Sequence, residues 1–379
     1  MYIAQIASSS SSTCELGMST NQILMFTGYF LIGVALFLAL TLWLRRNGKK
    51  KNKKEAKNGD EVDESGLTKP REQRKSESGE VASESMVVVG SGEVKGLRFE
   101  ELLKAPAELL GRGKHGSVYK VMCENPRMSL TVQRIKEWGI TGHDFKKRMQ
   151  RLRELKHPNV MPALAFYSSS LEKLLVYEYQ QNGSLLTLVQ GIQMGKAFDW
   201  SRRLSIAGSI ADTLAFMHKE LKEDGIAHGN FKSSNIMFNQ NMEPCISEYG
   251  LMPLPAEAAI SETQQNPFKQ DIYGLGVILL ELLTGKMNMM IMAQNNGQED
   301  LASWVLGVLR EEWTVEVFDR ALIQEGASEG RIVGLLQVAV KCVNPSPEAR
   351  PSIHQVATMI RSIQEQEERS MDSSQSITM

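Results

Sequence analysis

The chain is predicted to be an α+β protein of two lobes, a small β-rich one and a larger helical one, preceded by a single membrane-spanning helix. Three observations predict this. Short strand-like segments cluster between residues 118 and 179, helical spacing dominates beyond Gly183, and Ile23–Leu44 is a run of 22 residues without a charge. Strands early and helices late within one stretch is the α+β pattern. A length of 379 residues allows one large domain, or two smaller ones, with attachments. The 43 basic and 44 acidic residues give a net charge of -1, so global charge nominates no partner and no nucleic acid is expected. Cys14, Cys123, Cys245 and Cys342 are scattered without a C-x-x-C pair, which supports neither a disulfide framework nor a zinc site.

The apolar run comes first. As a helix rising about 1.5 Å per residue, it spans roughly 33 Å, enough for a bilayer core of about 30 Å. Trp43 sits where an interfacial aromatic is expected, and the seven cations of Arg45–Lys54 mark the cytoplasmic side. A buried core helix is seldom apolar all round for six turns. A signal peptide carries a basic start and a shorter apolar stretch. The expected product is a single-pass protein of the plasma membrane, with its N-terminus outside. Residues 1–22 form a short extracytoplasmic segment. Residues 45–97 read as a basic, then disordered, juxtamembrane linker, because 55–96 are too polar to bury a core. The Arg45–Lys54 cluster also suits anionic lipid head groups.

Globular patterning runs over 98–365. A glycine turn at 111–116 leads into a strand at Val118–Val121, with others at Leu130–Val132 and Lys173–Tyr179. Asp144–Leu155 has helical spacing. Trp200–Glu220, Asp271–Leu283, Asp300–Glu311 and Gly330–Cys342 are the later helices. The lobes divide at about residues 179 and 180. The polar residues 366–379 read as a flexible tail.

Several motifs occur in a telling order. Gly111-Arg112-Gly113-Lys114-His115-Gly116 continues to Val118, and glycines so placed let backbone amides approach phosphate oxygens. Further on, His228, Asn230, Lys232 and Asn235 give H-x-N-x-K-x-x-N. Glu248-Tyr249-Gly250 begins thirteen residues after Asn235. Asp271-Ile272-Tyr273-Gly274 and Arg350-Pro351 complete the series. This order resembles protein kinases, with their H-R-D-x-K-x-x-N loop and D-F-G triplet. More narrowly, Leu97–Glu108, the HGN of 228–230, LVYEY (175–179), LASWV (301–305) and EEWTVEVFD (311–319) resemble plant leucine-rich-repeat receptor-like kinases. The resemblance implies a bilobal kinase fold over 98–365. It also implies extracellular repeats, for which residues 1–22 leave no room.

The resemblance further implies which positions carry catalysis, and several are altered. The β3 lysine that holds ATP phosphates is replaced by Gln133. Strand side chains alternate with period two, so Arg134 and Lys136 point to the other face and are poor rescuers. The C-helix glutamate position is read as Gln150, with Glu154 one turn away, and an amide pair between Gln133 and Gln150 is a conceivable substitute. Asn230 takes the place of the base, is neutral, and forfeits a contribution of roughly 100- to 10,000-fold. Glu248 replaces the metal-binding aspartate with a carboxylate one methylene longer, a poor match to the octahedral demand of Mg²⁺. The segment from Glu248 to Asp271 is short and lacks A-P-E, with Glu262 the nearest substitute for its glutamate.

Together these changes argue against efficient phosphoryl transfer. Lys232 and Asn235 are retained, Asn235 and Glu248 are the doubtful metal ligands, and any Mg²⁺ dependence is expected to be weak. ATP binding stays open, with Gly111, Gly113, Gly116, Val118, the Glu178-Tyr179 hinge and Met237 placed to hold it, while Thr131 crowds the pocket. The implied function is that of a membrane-anchored pseudokinase working through other signalling proteins or active receptor kinases. The alternatives are a weakly active Ser/Thr kinase and a nucleotide-independent scaffold.

Overall fold

The computed structural model describes residues 87–88 and 99–377, apart from 114–115, 125–126, 136–140, 170–171, 252–265, 289–299, 312–314 and 326. The Ile23–Leu44 run and the Arg45–Lys54 cluster lie outside the described residues. Among the described residues no helix is long and apolar enough to cross a membrane.

The first lobe contains β1 (Val87–Val88), helix α1 (Phe99–Lys104), β2 (Ala107–Gly113), β3 (Gly116–Glu124), β4 (Arg127–Ile135), helix α2 (Gly142–Glu154), β5 (Ala165–Ser168) and β6 (Lys173–Glu178). The strands form one sheet in the order β1-β5-β6-β4-β3-β2, and every recorded pairing in it is antiparallel. Period-two alternation divides their side chains between two small cores. Val121, Leu130, Val132, Ala165 and Val176 pack with Leu102 of α1. Phe166, Leu175 and Tyr177 pack with Phe145 and Met149 of α2. Gln133 lies directly opposite Leu175 in the ladder, which puts it on the α2 side. Arg134 turns to the other face and meets Glu172 at 2.9 Å, as strand parity requires.

The second lobe contains α3 (Leu185–Gln193), α4 (Trp200–Leu221), β7 (Ile236–Phe238), β8 (Pro244–Ile246), α5 (Pro267–Thr284), α6 (Leu301–Glu311), α7 (Arg320–Gln324), α8 (Glu329–Cys342) and α9 (Ile353–Ile377). Side-chain caps start several of them: Ser184 before α3, Asp199 before α4 and Asn266 before α5 each accept from a backbone N–H. Helix α5 is apolar nearly all round, with Ile272, Leu275, Ile278, Leu279, Leu280, Leu282 and Leu283 buried, and so forms the lobe's centre. Gly274 is required there: a Cβ would sit 2.3 Å from the Phe231 carbonyl oxygen, so only glycine lets α5 touch the loop that carries Asn230. All described residues fall in one compact unit, Val81–Met379.

Three boundaries differ from the sequence reading. Val87–Val88, inside the stretch read as a linker, pairs with β5 at the sheet edge. Gly111 and Gly113 extend β2 rather than forming a turn. The residues read as a tail instead continue α9 as far as Ile377. No Gly or Pro interrupts that segment, and Glu367 anchors it by accepting from Trp200 Nε1 at 2.8 Å and from Arg331.

Candidate active site

Three backbone segments converge where the lobes meet. The first is the loop of His228 to Asn235. Asp271, fully buried near the start of α5, accepts from the His228 N–H at 2.8 Å, the Gly229 N–H at 2.7 Å and His218 Nε2 at 3.0 Å. The His228 ring is then fixed by its own bonds. Nε2 lies 2.9 Å from the Ser247 carbonyl and must donate, so Nδ1 accepts from the Asn230 N–H at 3.3 Å. Burial holds this imidazole neutral, pushing its pKa below the ordinary value of about 6.5. Asn235 donates from Nδ2 to the Asn230 carbonyl at 2.9 Å, and its own carbonyl accepts from the Ser247 N–H and Oγ, each at 2.9 Å. The loop's shape is therefore set by backbone and structural groups. It does not depend on the identity of side chain 230, which is half-buried, while Lys232 is exposed.

The second segment is Glu248-Tyr249-Gly250. Glu248 has φ 60°, a left-handed conformation that costs a non-glycine residue about 1 kcal/mol or more. Tyr249 packs edge-on against His228 with ring centroids 5.4 Å apart, filling the place of the expected phenylalanine. Its hydroxyl is buried with no hydrogen-bond partner among the described residues. Glu248 points back toward the sheet. Burial raises its pKa, against the lowering effects of the Lys232 charge and of a hydrogen bond donated by Gln133. The Glu248 charge in turn helps push the Tyr177 hydroxyl far above its usual range, burial being the larger cause.

The third segment is the sheet face beneath α2. Gln133 is 7% exposed. Its Oε1 is buried without a hydrogen-bond partner among the described residues.

The reading of Gln150 as the C-helix position is corrected here. Gln150 is exposed, as is Glu154, and no hydrogen bond joins Gln150 to Gln133 among the described residues. Phe145, Arg148 and Met149 are the buried residues of α2, and Leu152 continues the stripe at helical spacing. Gln150 lies two positions past Arg148 and so points roughly opposite. The inward polar residue is Arg148, whose Nη1 donates to the Gly250 carbonyl at 3.0 Å. The apolar rhythm of Phe145, Met149 and Leu152 already carried this signal, since Arg148 is the polar residue on that face.

The residues expected to hold a nucleotide lie on or beside β2, β3, β4, β6 and β7. A Cβ on Gly111 or Gly113 would meet nothing within 4 Å. Gly116, at φ 155°, is needed by the fold itself, because a Cβ there would sit 2.2 Å from the Arg134 carbonyl oxygen. Val118 faces Gln133 across the β3–β4 ladder, and Met237 bridges to Ser184 below. Glu178 is exposed at the end of β6. Tyr179 is held by its N–H to the Ser129 carbonyl at 3.1 Å, with Lys120 Nζ 4.3 Å above its ring.

The metal end fits poorly. Among the described residues no group of three or more His, Cys, Asp or Glu could hold a metal ion. Asn235 and Glu248 remain as the two possible ligands. Glu262 lies outside the described residues. Arg350, its expected partner, donates to the carbonyls of Asn344, Lys269 and Pro345 and stacks over Tyr273 at 4.9 Å.

Comparison with known proteins places these features. Residues 105–359 match the protein kinase domain family. The chain is 36% identical over 302 residues to a probable inactive receptor kinase of Arabidopsis thaliana, covering 74% of this chain and 46% of the relative. It is 36% identical over 281 residues to a probable leucine-rich repeat receptor-like protein kinase of the same plant, covering 70% and 42%. An inactive leucine-rich repeat receptor-like serine/threonine-protein kinase, also from Arabidopsis thaliana, is 35% identical over 311 residues, covering 76% and 46%. The chain thus spans less than half the length of these relatives. A solved structure of the pseudokinase domain of BIR2, an immune regulator of the RLK/Pelle family, superposes with a TM-score of 0.62 at 27% identity. It covers 75% of this chain and 90% of that one.

Proposed function

The chain belongs to the protein kinase domain family, and on that premise we propose that it is a membrane-anchored receptor-like pseudokinase. It signals by binding other proteins, active receptor kinases among them, and transfers little or no phosphate. One observation carries the reading: the residue in the lysine position, Gln133, is neutral and buried, so that it supplies no cation to the cleft. A kinase uses that position and the metal position to neutralise developing phosphate charge. Here no charge is left at the lysine position. Asn230 adds the loss of the base.

The inactive kinases among its relatives and the likeness to the BIR2 pseudokinase support the same conclusion. The Ile23–Leu44 run and the Arg45–Lys54 cations support anchoring at the plasma membrane against anionic lipids. Binding of the full chain to vesicles with and without anionic lipid tests the second part. The intact loop geometry around Lys232 and Asn235 favours, as second reading, a weakly active Ser/Thr kinase. Genetic replacement separates the two. A chain carrying Lys232→Ala and Asn235→Ala should restore signalling in cells that lack the protein if it acts by binding, and should fail to do so if residual catalysis matters.

A further inference from the structure

A cavity of about 820 Å³ lies against α2, a size that suits a small organic ligand. Its walls come from α2, the 155–164 stretch, α4 and the residues that follow Glu248. Pro158 and Pro162 keep the 155–164 stretch out of regular structure. None of the residues expected to hold a nucleotide lines this cavity, so it is a separate site.

The lining is chemically one-sided. Leu152, Leu155, Val160, Met161, Ala163 and Leu251 are only half-buried, so apolar surface stays open to an entering molecule. Phe166 and Met217, both nearly fully buried, complete the apolar wall. Among the described residues the charged side chains of the lining are Arg153 and Lys156. Both are exposed, and neither forms an ion pair among the described residues. The neighbouring acid, Glu154, is not part of the lining and pairs with Arg151 at 3.4 Å. His157 adds no charge near neutrality, because burial lowers its pKa, and its Nδ1 accepts from the Asn159 N–H at 3.1 Å. An apolar hollow with two unpaired cations and no acid fits a molecule with an apolar body and one anionic head.

We propose that this cavity binds a small amphiphilic carboxylic acid, its apolar body against Leu152, Met161 and Leu251 and its carboxylate at Arg153 and Lys156. The occupant touches α2 and Leu251 together, the two segments that Arg148 joins by donating from Nη1 to the Gly250 carbonyl at 3.0 Å. Binding therefore bears on how α2 sits against the second lobe. The proposal stands whether or not the chain transfers phosphate.

The test is a fluorescence titration of the purified full chain in nanodiscs with pyrenebutyrate and with the uncharged pyrenebutanol, empty nanodiscs serving as the blank. The acid is expected to bind saturably and at least about tenfold more tightly than the alcohol, the scale of one charge-assisted contact. Arg153→Gln combined with Lys156→Gln, both at exposed positions, should bring the acid to the level of the alcohol and leave the alcohol unchanged. Ala163→Phe, which fills the cavity, should weaken both, and excess ATP should displace neither. The proposal is overturned if nothing saturates above the blank, if the double substitution leaves the acid unaffected, or if ATP competes. Binding of an acidic amphipathic peptide but not of pyrenebutyrate would make a protein segment the occupant and overturn it equally. Should Ala163→Phe fail to fold, the double substitution decides.

Discussion

At the scale of single residues, the site separates groups that hold shape from groups that do chemistry. Asp271 and His228 are both fully buried, and every bond they make is to the loop or its supports. Asp271→Asn would leave N–H donors facing an amide in place of a carboxylate. The expected cost is about 3 kcal/mol or more, read as a lowered urea midpoint with unchanged slope. Tyr249→Phe should act in the opposite sense. It removes a buried hydroxyl that has no partner among the described residues while keeping the edge-on contact with His228, so stability should rise by up to about 1–2 kcal/mol. A drop in melting temperature for that variant would show that the hydroxyl is satisfied after all.

The neutral His228 sets a pH dependence. Its folded pKa is below its unfolded value of about 6.5, so the unfolded state binds the extra proton first as pH falls. Stability from this group is fully present above about 6.5 and is lost on acidification. Nitrogen NMR of the imidazole should show the Nε2-protonated neutral form persisting below the ordinary histidine value of about 6.5.

At the scale of elements, the helices and central strands were legible because their periodicities are strong. The predicted Trp200–Glu220 and Asp271–Leu283 helices lie within α4 and α5, and the strand at Lys173–Tyr179 is β6 to within a residue. Short or solvent-facing elements were not. Every residue of β2 is exposed, so it offers no alternation to read, and its glycines suggested a turn. The polar end of α9 looked like a tail because its stability comes from Trp200 and Arg331, far away in sequence. Glu367→Ala should therefore cost about 1–3 kcal/mol and loosen the end of α9, seen as faster amide exchange beyond residue 364.

The site was legible in its strand positions, since the resemblance assigned Gln133 and parity put Arg134 on the opposite face. It was misread on α2, where a sequence match favoured Gln150 over the face defined by Phe145, Met149 and Leu152. The effect of Gln133 on the Glu248 carboxyl acts between residues 115 positions apart and has no local signal.

At the scale of the whole molecule, the altered positions occupy both lobes while the hydrophobic cores are complete. Core residues such as Leu275, Leu279 and Leu335 are entirely buried, whereas Gln133 and Asn230 lack the charge expected at their positions and Glu248 carries its carboxylate one methylene farther out. Groups that act as a unit are not additive, so mending one of them should not restore activity. Asn230→Asp alone is expected to leave phosphate transfer at background.

The most direct test is a single-turnover assay with the purified full chain in excess over labelled ATP and Mg²⁺, following phosphate on the chain itself and on a Ser/Thr substrate. Background is set by a Lys232→Ala, Asn235→Ala variant. The account predicts no transfer by the wild-type chain above that control. Transfer well above it, abolished by the double substitution, would show that Gln133, Asn230 and Glu248 sustain catalysis and would contradict the account.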